Sequence, residues 1–239
     1  ILFLGYILLH YGLRKFKCFV SILTRKIIMA KNTFENHVLY SGGAYGSDAL
    51  FSILADQYGV GKQFHIRPTG NTKIHKTIVK LGYAPLVVPE DKLTLARDKI
   101  QELIGLKLTS NLGNNLKARN YFQVSNSESV LAVAKLKSDM KSVSGGTDVA
   151  VQLGIALKLP VYVLDVHSES WHIYDSNSEK FILFSGVPPL TRKFTGVGTR
   201  DIENYNIKDK VSGNWVPRKE FVGEAKAETL SSILRQIFL

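Results

Sequence analysis

Two glycine turns limit the folds open to this chain, because each lies between a β-favouring segment and a helical pattern. The first, Ser41–Asp48 (SGGAYGSD), follows the short segment His37–Tyr40. The second, Ser144–Asp148 (SGGTD), follows the apolar segment Ser129–Ala134 and opens an apolar periodic helix. A strand, a glycine turn and a helix in this order are typical of a unit of a parallel sheet.

Further segments predict more of the same sheet. Phe194–Thr199 (FTGVGT) predicts a short strand that ends in a third glycine turn, and Pro160–Asp165 (PVYVLD) predicts a buried strand. Ser170–Phe184 predicts a hairpin, and Glu224–Phe238 predicts a final helix. We therefore expect an α/β fold: a Rossmann-like three-layer sandwich with a mostly parallel sheet, plus a small β-hairpin.

The glycine turns predict a site for an anionic ligand. Turns without side chains let the backbone approach a phosphate, and a helix N-terminus offers free N–H groups and a favourable dipole. The ends of parallel strands converge at the carboxyl edge of a sheet, where open α/β folds bind ligands. No Walker A loop and no GxGxxG fingerprint is present. The candidate nucleotide- or phosphate-binding residues are Ser41, Gly42, Gly43, Gly46, Ser47, Asp48, Arg119, Asn120, Ser144, Gly145, Gly146, Thr147, Gly196, Gly198, Thr199 and Arg200.

The net charge of +11 is unevenly distributed along the 239 residues. Residues 1–31 carry six basic residues and no acid, which leaves +5 on residues 32–239. We therefore divide the chain into an N-terminal basic and apolar extension, 1–31, and a single domain, 32–239. The extension has three open interpretations: upstream translation ahead of a start at Met29, a basic amphipathic helix at a membrane surface, or a buried helix.

Composition also bounds the partners and the compartment. A single cysteine, Cys18, excludes a disulfide framework and a cysteine-based zinc site, and the histidines form no ligand-like pair. We expect no metal and no cofactor, a cytoplasmic location, and a nucleotide or nucleotide-derived small molecule as partner. A homo-oligomer stays open, and a membrane partner would require residues 1–31 to be native. Nucleic acid binding would require a basic stripe with interleaved aromatic residues. Residues 32–239 show no such stripe, so we do not expect a nucleic acid partner.

Three further segments carry a resemblance to a known superfamily. Lys117–Asn120 (KARN), Ser127–Val133 (SESVLAV) and Ser144–Thr147 (SGGT) resemble SLOG proteins, and Tyr40–Gly46 is similar to an earlier glycine turn of the same group. The superfamily includes the lonely-guy (LOG) phosphoribohydrolases and the Rossmann-like core of the DNA-processing protein A family. The resemblance implies nucleotide binding, and it places Arg119 at the position of the family's catalytic, phosphate-contacting arginine.

Two departures from the LOG pattern favour a binding module over an enzyme. Gln152 stands where the family has a catalytic glutamate, and an amide cannot act as a general base. Asp148 stands where the motif has a glycine. We therefore expect a sensor or sequestering module, with a LOG-like nucleoside 5'-monophosphate phosphoribohydrolase and a DNA-binding protein of the DNA-processing type as alternatives.

The order of the motifs is a third departure. The strand Phe194–Thr199 and the final helix would precede His37–Tyr40 in the usual order of these proteins, which suggests a circular permutation of a kind familiar from phage and bacterial relatives. The permutation predicts that Phe194–Thr199 pairs with His37–Tyr40 inside the parallel sheet. A structure with that strand at the far edge would contradict it.

Several single residues have sequence-based expectations of their own. We expect Arg119 to face the amides of Gly145 and Gly146 with a free guanidinium, so that its replacement would leave folding near wild type. The alternative is a surface salt bridge, whose loss would cost at most about 1 kcal/mol. His65 and Arg67 form either a second phosphate contact or an ordinary loop at the end of a strand. We expect His75 on a helix surface. Trp171 and Trp215 are expected to be packing residues.

Overall fold

The main sheet has eight strands. The computed structural model describes residues 34–239, so the predicted extension 1–31 lies outside the described residues. The spatial order of the strands is β3-β2-β1-β8-β4-β5-β6-β7. Their bounds are β1 Val38–Ser41, β2 Lys62–Pro68, β3 Pro85–Val88, β4 Ser129–Ala134, β5 Val161–Asp165, β6 Ser170–Asp175, β7 Lys180–Leu183 and β8 Lys193–Gly198. A separate antiparallel hairpin joins β9 Asn206–Lys208 to β10 Trp215–Pro217.

Helices cover both faces of the sheet. They are α1 Ser47–Gln57, α2 Lys76–Lys80, α3 Glu90–Ile104, α4 Leu112–Ser125, α5 Thr147–Ala156 and α6 Glu224–Arg235, followed by a short 3-10 turn, Gln236–Phe238. One apolar core packs α3, α4 and α5 against one face of the sheet. The other core packs α1, α6 and the 3-10 turn against the opposite face.

The central strand β4 explains why two cores form. All six of its residues are buried. Val130 and Ala132 belong to the core with α5, whereas Leu131 and Val133 belong to the core with α1 and α6. Successive side chains of a strand point to opposite faces, so a continuous apolar strand needs cover on both sides. The expected α/β fold with a mostly parallel sheet is confirmed.

Strand β8 lies between β1 and β4, at the centre of the sheet. It pairs in parallel with β1 through Leu39↔Phe194 and with β4 through Val130↔Thr195. The predicted pairing of Phe194–Thr199 with His37–Tyr40 is therefore confirmed. The permutation itself stays an interpretation, because it describes an order relative to other proteins.

Several element boundaries differ from the sequence-based prediction. The polar stretch Thr109–Asn115 predicts a loop and a helix that begins at Leu116, but helix α4 begins at Leu112. The Oδ1 atom of Asn111 caps it there by accepting the N–H of Asn114 at 2.9 Å. The predicted hairpin is confirmed as β6 and β7, and it extends the main sheet as an antiparallel edge. The β9–β10 hairpin was not predicted, because its strands are three residues long and mostly exposed.

Candidate functional site

A cavity of about 390 Å³ opens at the carboxyl edge of the sheet, where β4 and β8 end. It brings the second and third glycine turns together with the start of α4. The predicted site residues that line it are Asp48, Arg119, Asn120, Ser144, Gly145, Gly146, Thr147, Gly198, Thr199 and Arg200. The predicted residues that do not line it are Ser41, Gly42, Gly43, Gly46, Ser47 and Gly196.

The second glycine turn presents unbonded amides to this cavity. Among residues 34–239, no atom accepts a hydrogen bond from the backbone N–H of Gly145, Gly146 or Thr147. Gly146 is the N-cap of α5, and no side chain caps the helix there. The first N–H groups of a helix have no partner within the helix, and they carry its positive dipole end. The turn can therefore bind an anion.

The first glycine turn differs, because its amides are bonded inside the protein. The N–H of Gly46 donates to Oε2 of Glu203 at 2.6 Å, and the N–H of Ala44 donates to Oδ2 of Asp48 at 3.4 Å. The N–H of Ser47 donates to the carbonyl oxygen of Thr199. The protein's own carboxylates thus occupy the place that an anion would take. The amides of Ala44, Gly46 and Ser47 are therefore not free for an anionic ligand.

Close packing explains the glycines of the first turn. A Cβ on Gly42 would overlap the guanidinium of Arg119. Gly46 has a φ of 81°, and a Cβ there would lie 2.6 Å from the Cα of Arg200. In the third turn, a Cβ on Gly196 would meet the ring of Phe51. These three glycines are therefore required by the approach of neighbouring elements.

Arg119 lines the cavity but is held by the protein itself. Its Nη1 donates to the carbonyl oxygens of Gly42 at 2.6 Å and Ile66 at 2.9 Å, and its Nε donates to that of Leu116 at 3.1 Å. Its Nη2 lies 3.5 Å from Oδ2 of Asp48. The expected free guanidinium is thus absent, and the expectation that folding does not depend on Arg119 disagrees with these contacts.

The cavity has an excess of positive charge. Lys117, Arg119, Lys135, Arg200 and Arg218 line it, against the two carboxylates of Asp48 and Asp201, which gives a net charge of +3. Lys135 and Arg218 are site residues that sequence reasoning missed. The position of Lys135 directly after β4 could have identified it as a residue at the carboxyl edge of the sheet. Arg218 follows the β9–β10 hairpin, which was not predicted, so no sequence signal placed it at the cavity.

Both carboxylates at the cavity are already engaged. Asp48 is 4% exposed and contacts Arg119 and the N–H of Ala44. Asp201 accepts from Nη2 of Arg218 at 2.6 Å and from its Nε at 3.1 Å. Neither Lys117, Lys135 nor Arg200 pairs with a carboxylate within the described residues. These three cations remain for an anionic ligand.

The pKa values of two buried arginines, Arg67 and Arg119, reflect the excess of positive charge near the cavity. Burial lowers the pKa of Arg67 to about 10, and the nearby charges of Arg119 and Arg200 lower it as well, against the opposite effect of Asp48. Burial also lowers the pKa of Arg119, again with a contribution from Arg200. Like charges disfavour each other's charged forms. An anion beside Arg200 would relieve this repulsion.

Asn120 offers an acceptor to the cavity. Its side chain is 6% exposed and lines the wall next to the second glycine turn. The Nδ2 atom makes one long hydrogen bond, 3.5 Å, to the carbonyl oxygen of Gly146. The Oδ1 atom accepts no hydrogen bond within residues 34–239. A buried amide with an unused acceptor can bind a donor of a ligand, such as a hydroxyl group.

The two residues that depart from the LOG pattern lie away from the cavity wall. The Oδ1 atom of Asp148 accepts a hydrogen bond from the N–H of Val143 at 3.0 Å, and Nε2 of Gln152 donates to the carbonyl oxygen of Lys141 at 3.2 Å. Neither residue lines the cavity. The negative charge of Asp148 is thus used within its own loop, and the side-chain amide of Gln152 is held by the carbonyl oxygen of Lys141 and by Oδ1 of Asp148.

His65 and Arg67 on β2 do not reach the cavity either. Arg67 donates to the carbonyl oxygens of Asn71 and Gly42 and to Oδ1 of Asn71. His65 is fully buried, and neither ring nitrogen has a hydrogen-bond partner among the described residues. Of the two open interpretations, a second phosphate contact therefore has no support from this geometry.

Burial lowers the pKa of His65 from 6.5 to about 4. The unfolded chain then binds a proton at His65 between these pH values, whereas the folded chain does not, so stability falls as the pH decreases. We expect wild type to lose about 2–3 kcal/mol more than His65→Phe between pH 7 and pH 4.5. Urea unfolding at both pH values measures this difference. An equal loss in the two proteins would contradict the lowered pKa.

A second cavity of about 460 Å³ lies between α1 and α6. Its wall includes His75 and Glu203, whose Nε2 and Oε1 atoms are 2.9 Å apart. His75 is 5% exposed and caps α2, because its Nδ1 accepts the N–H of Thr77. The expectation of a surface histidine is therefore wrong. Glu203 joins the loop after β8 to the starts of both α1 and α2.

Searches for other chemistry and for relatives gave negative findings. Within residues 34–239, no group of three or more His, Cys, Asp or Glu side chains could hold a metal ion. In the same range, no helix has the length and apolar character to cross a membrane. Comparisons with family models, with curated proteins and with solved structures found no match to this chain.

Proposed function

We propose that the chain binds a nucleotide or a nucleotide-derived ligand, with a phosphate group at the N-terminus of α5. One observation carries this proposal: the unbonded amides of Gly145, Gly146 and Thr147 line a cavity whose net charge is +3. A phosphate accepts hydrogen bonds from such amides and is stabilised by the helix dipole. The unused Oδ1 of Asn120 supplies the acceptor that a ribose hydroxyl would need.

The cavity favours binding over hydrolysis. A LOG-like reaction would use a free carboxylate next to the ligand, and the two carboxylates at this wall are bonded to Arg119 and Arg218. A sensor or sequestering module needs no such group. The parallel pairing of β8 with β1 is the arrangement that a permuted SLOG-type module predicts.

A carboxylate placed at the N-terminus of α5 tests the phosphate position. In Gly146→Asp the new charge would occupy the anion position, so we expect AMP affinity to fall about tenfold or more, since charge-assisted hydrogen bonds contribute about 1.5–3 kcal/mol. The melting temperature should stay equal or rise, because a negative charge at a helix N-terminus stabilises by about 0.3–1 kcal/mol. Calorimetric titration with AMP and a thermal melt measure the two effects.

Gly146→Ala is the matched control for this experiment. A Cβ at Gly146 meets no atom of residues 34–239 within 4 Å, and the backbone φ of −72° suits any residue. The alanine variant should therefore bind AMP within about threefold of wild type. Wild type should bind adenosine far more weakly than AMP. Equal AMP affinity in wild type and Gly146→Asp, or equal affinity of wild type for AMP and adenosine, would refute the proposal.

A further inference from the structure

We infer that the ligand of this cavity carries two adjacent phosphate groups, as a nucleoside diphosphate does. The inference rests on the proposed function and specifies its ligand class. It depends on three features of the cavity: two neighbouring groups of anion-binding atoms, the number of cations without a carboxylate partner, and the position of Arg200.

The two groups of anion-binding atoms lie at the ends of adjacent strands. Strands β4 and β8 pair in parallel with Val133 opposite Gly198. Lys135 and Arg200 each follow their paired residue by two positions, so the two chains leave the sheet side by side. Neighbouring strands are about 4.7–4.9 Å apart. The two strand ends are therefore direct neighbours, so a diphosphate can contact both, with one phosphate towards each strand end.

The first group lies at the end of β4. It consists of Lys135 and the free amides of Gly145, Gly146 and Thr147. The N–H of Ser144 donates to the carbonyl oxygen of Lys135 at 2.9 Å, which holds the second glycine turn next to the strand end. One phosphate therefore meets a lysine and a helix N-terminus together.

The second group lies at the end of β8. It consists of Arg200, which lines the cavity beside Arg218. The donors of Arg218 are already used by Asp201, by Glu220, whose Oε2 lies 3.8 Å from its Nε, and by the hydroxyl oxygen of Tyr205, 2.8 Å from its Nη1. Arg200 is exposed and has no carboxylate partner within the described residues. A planar guanidinium can bind a phosphate with two parallel hydrogen bonds.

The charge of the cavity agrees with two phosphates. A monophosphate group carries about −1.5 to −2 at pH 7. The net charge of +3 at the wall exceeds that value, and Lys117, Lys135 and Arg200 are all without carboxylate partners in the described part of the chain. A second phosphate next to Arg200 would balance the remainder. It would also lie close to the buried arginines whose pKa values Arg200 lowers.

Calorimetric titration of the full chain with AMP and with ADP tests the inference. We expect ADP to bind about 10- to 100-fold more tightly than AMP, the factor that corresponds to one additional set of charge-assisted hydrogen bonds. Arg200→Ala should reduce ADP affinity about tenfold or more and change AMP affinity by less than about threefold. Pyrophosphate should likewise bind more tightly than inorganic phosphate.

Arg192→Ala is the matched control, because Arg192 is exposed and directly precedes β8 at the opposite edge of the sheet. It should leave both affinities unchanged. Equal affinities for AMP and ADP in wild type would overturn the second phosphate and leave the proposed function intact. An ADP preference that Arg200→Ala does not reduce would overturn the assignment to β8. Folded protein that binds neither nucleotide would overturn the proposed function as well.

Discussion

Arg119→Ala should lower the free energy of unfolding by about 3–5 kcal/mol, the range for removing one partner of a buried ion pair. Arg119 is 7% exposed, and its guanidinium bonds three carbonyl oxygens and the carboxylate of Asp48. Its removal leaves Asp48 as a buried carboxylate without its cation. It also takes one donor from the carbonyl oxygens of Gly42 and Ile66, of which Gly42 still accepts from Nη1 of Arg67 at 3.3 Å. The buried charge without its partner accounts for most of the expected loss. Urea unfolding at pH 7 measures the loss.

Arg200→Ala serves as the control for this stability experiment. Arg200 is exposed and makes no ion pair within the described residues, so its loss should change stability by less than about 0.5 kcal/mol. Wild-type stability in Arg119→Ala would show that the network around Asp48 contributes nothing net. Arg119 would then be available to a ligand, as the LOG resemblance implies.

Phe194→Ala should destabilise the protein about as much as Arg119→Ala, with a decrease in the free energy of unfolding of about 3–5 kcal/mol. Phe194 is fully buried on β8, in the core that α1 and α6 cover. The centroid of its ring lies 6.1 Å from the centroid of the Phe238 ring, and the two ring planes are inclined by 68°. Truncation would leave a cavity between the central strand and the C-terminal turn. Thermal and urea unfolding measure the effect.

Trp215→Ala is the aromatic control for Phe194→Ala. Trp215 is 69% exposed on the β9–β10 hairpin, which contradicts the expectation of a packing residue. Its truncation should change stability by less than about 0.5 kcal/mol. A loss in Phe194→Ala as small as that in Trp215→Ala would contradict the burial of β8 at the centre of the sheet. Trp171, in contrast, is 4% exposed and packs as predicted.

The fold could be predicted from sequence because its determinants are local. Six consecutive apolar or small residues predict the buried strand Ser129–Ala134, and the glycine turn at Gly145 predicts the helix that follows it. The hairpin between residues 206 and 217 lacked such a pattern, because its short strands bury little. The start of α4 was missed because one side chain, Asn111, decides it.

The site was less predictable, because long-range contacts decide which turn stays open. The first and second glycine turns look alike in sequence, yet Glu203, 157 residues after Gly46, bonds the amide of the first. No local sequence pattern predicts that contact. The same holds for Arg119, whose partners Gly42 and Ile66 are 77 and 53 residues away. A motif identifies the residue type at a position, whereas its partners come from the whole fold.

The central position of β8 has a consequence for how the chain acquires its structure during synthesis. Lys193 pairs with Val38, so about 155 residues leave the ribosome before the sheet can close. Until then β1 and β4 each keep an open edge at what becomes the middle of the molecule. Pairings between residues so distant in sequence form slowly, because the loop entropy is lost before the contacts are gained. Before β8 emerges, the two halves of the sheet are therefore not joined, and their unpaired edges favour aggregation of the nascent chain.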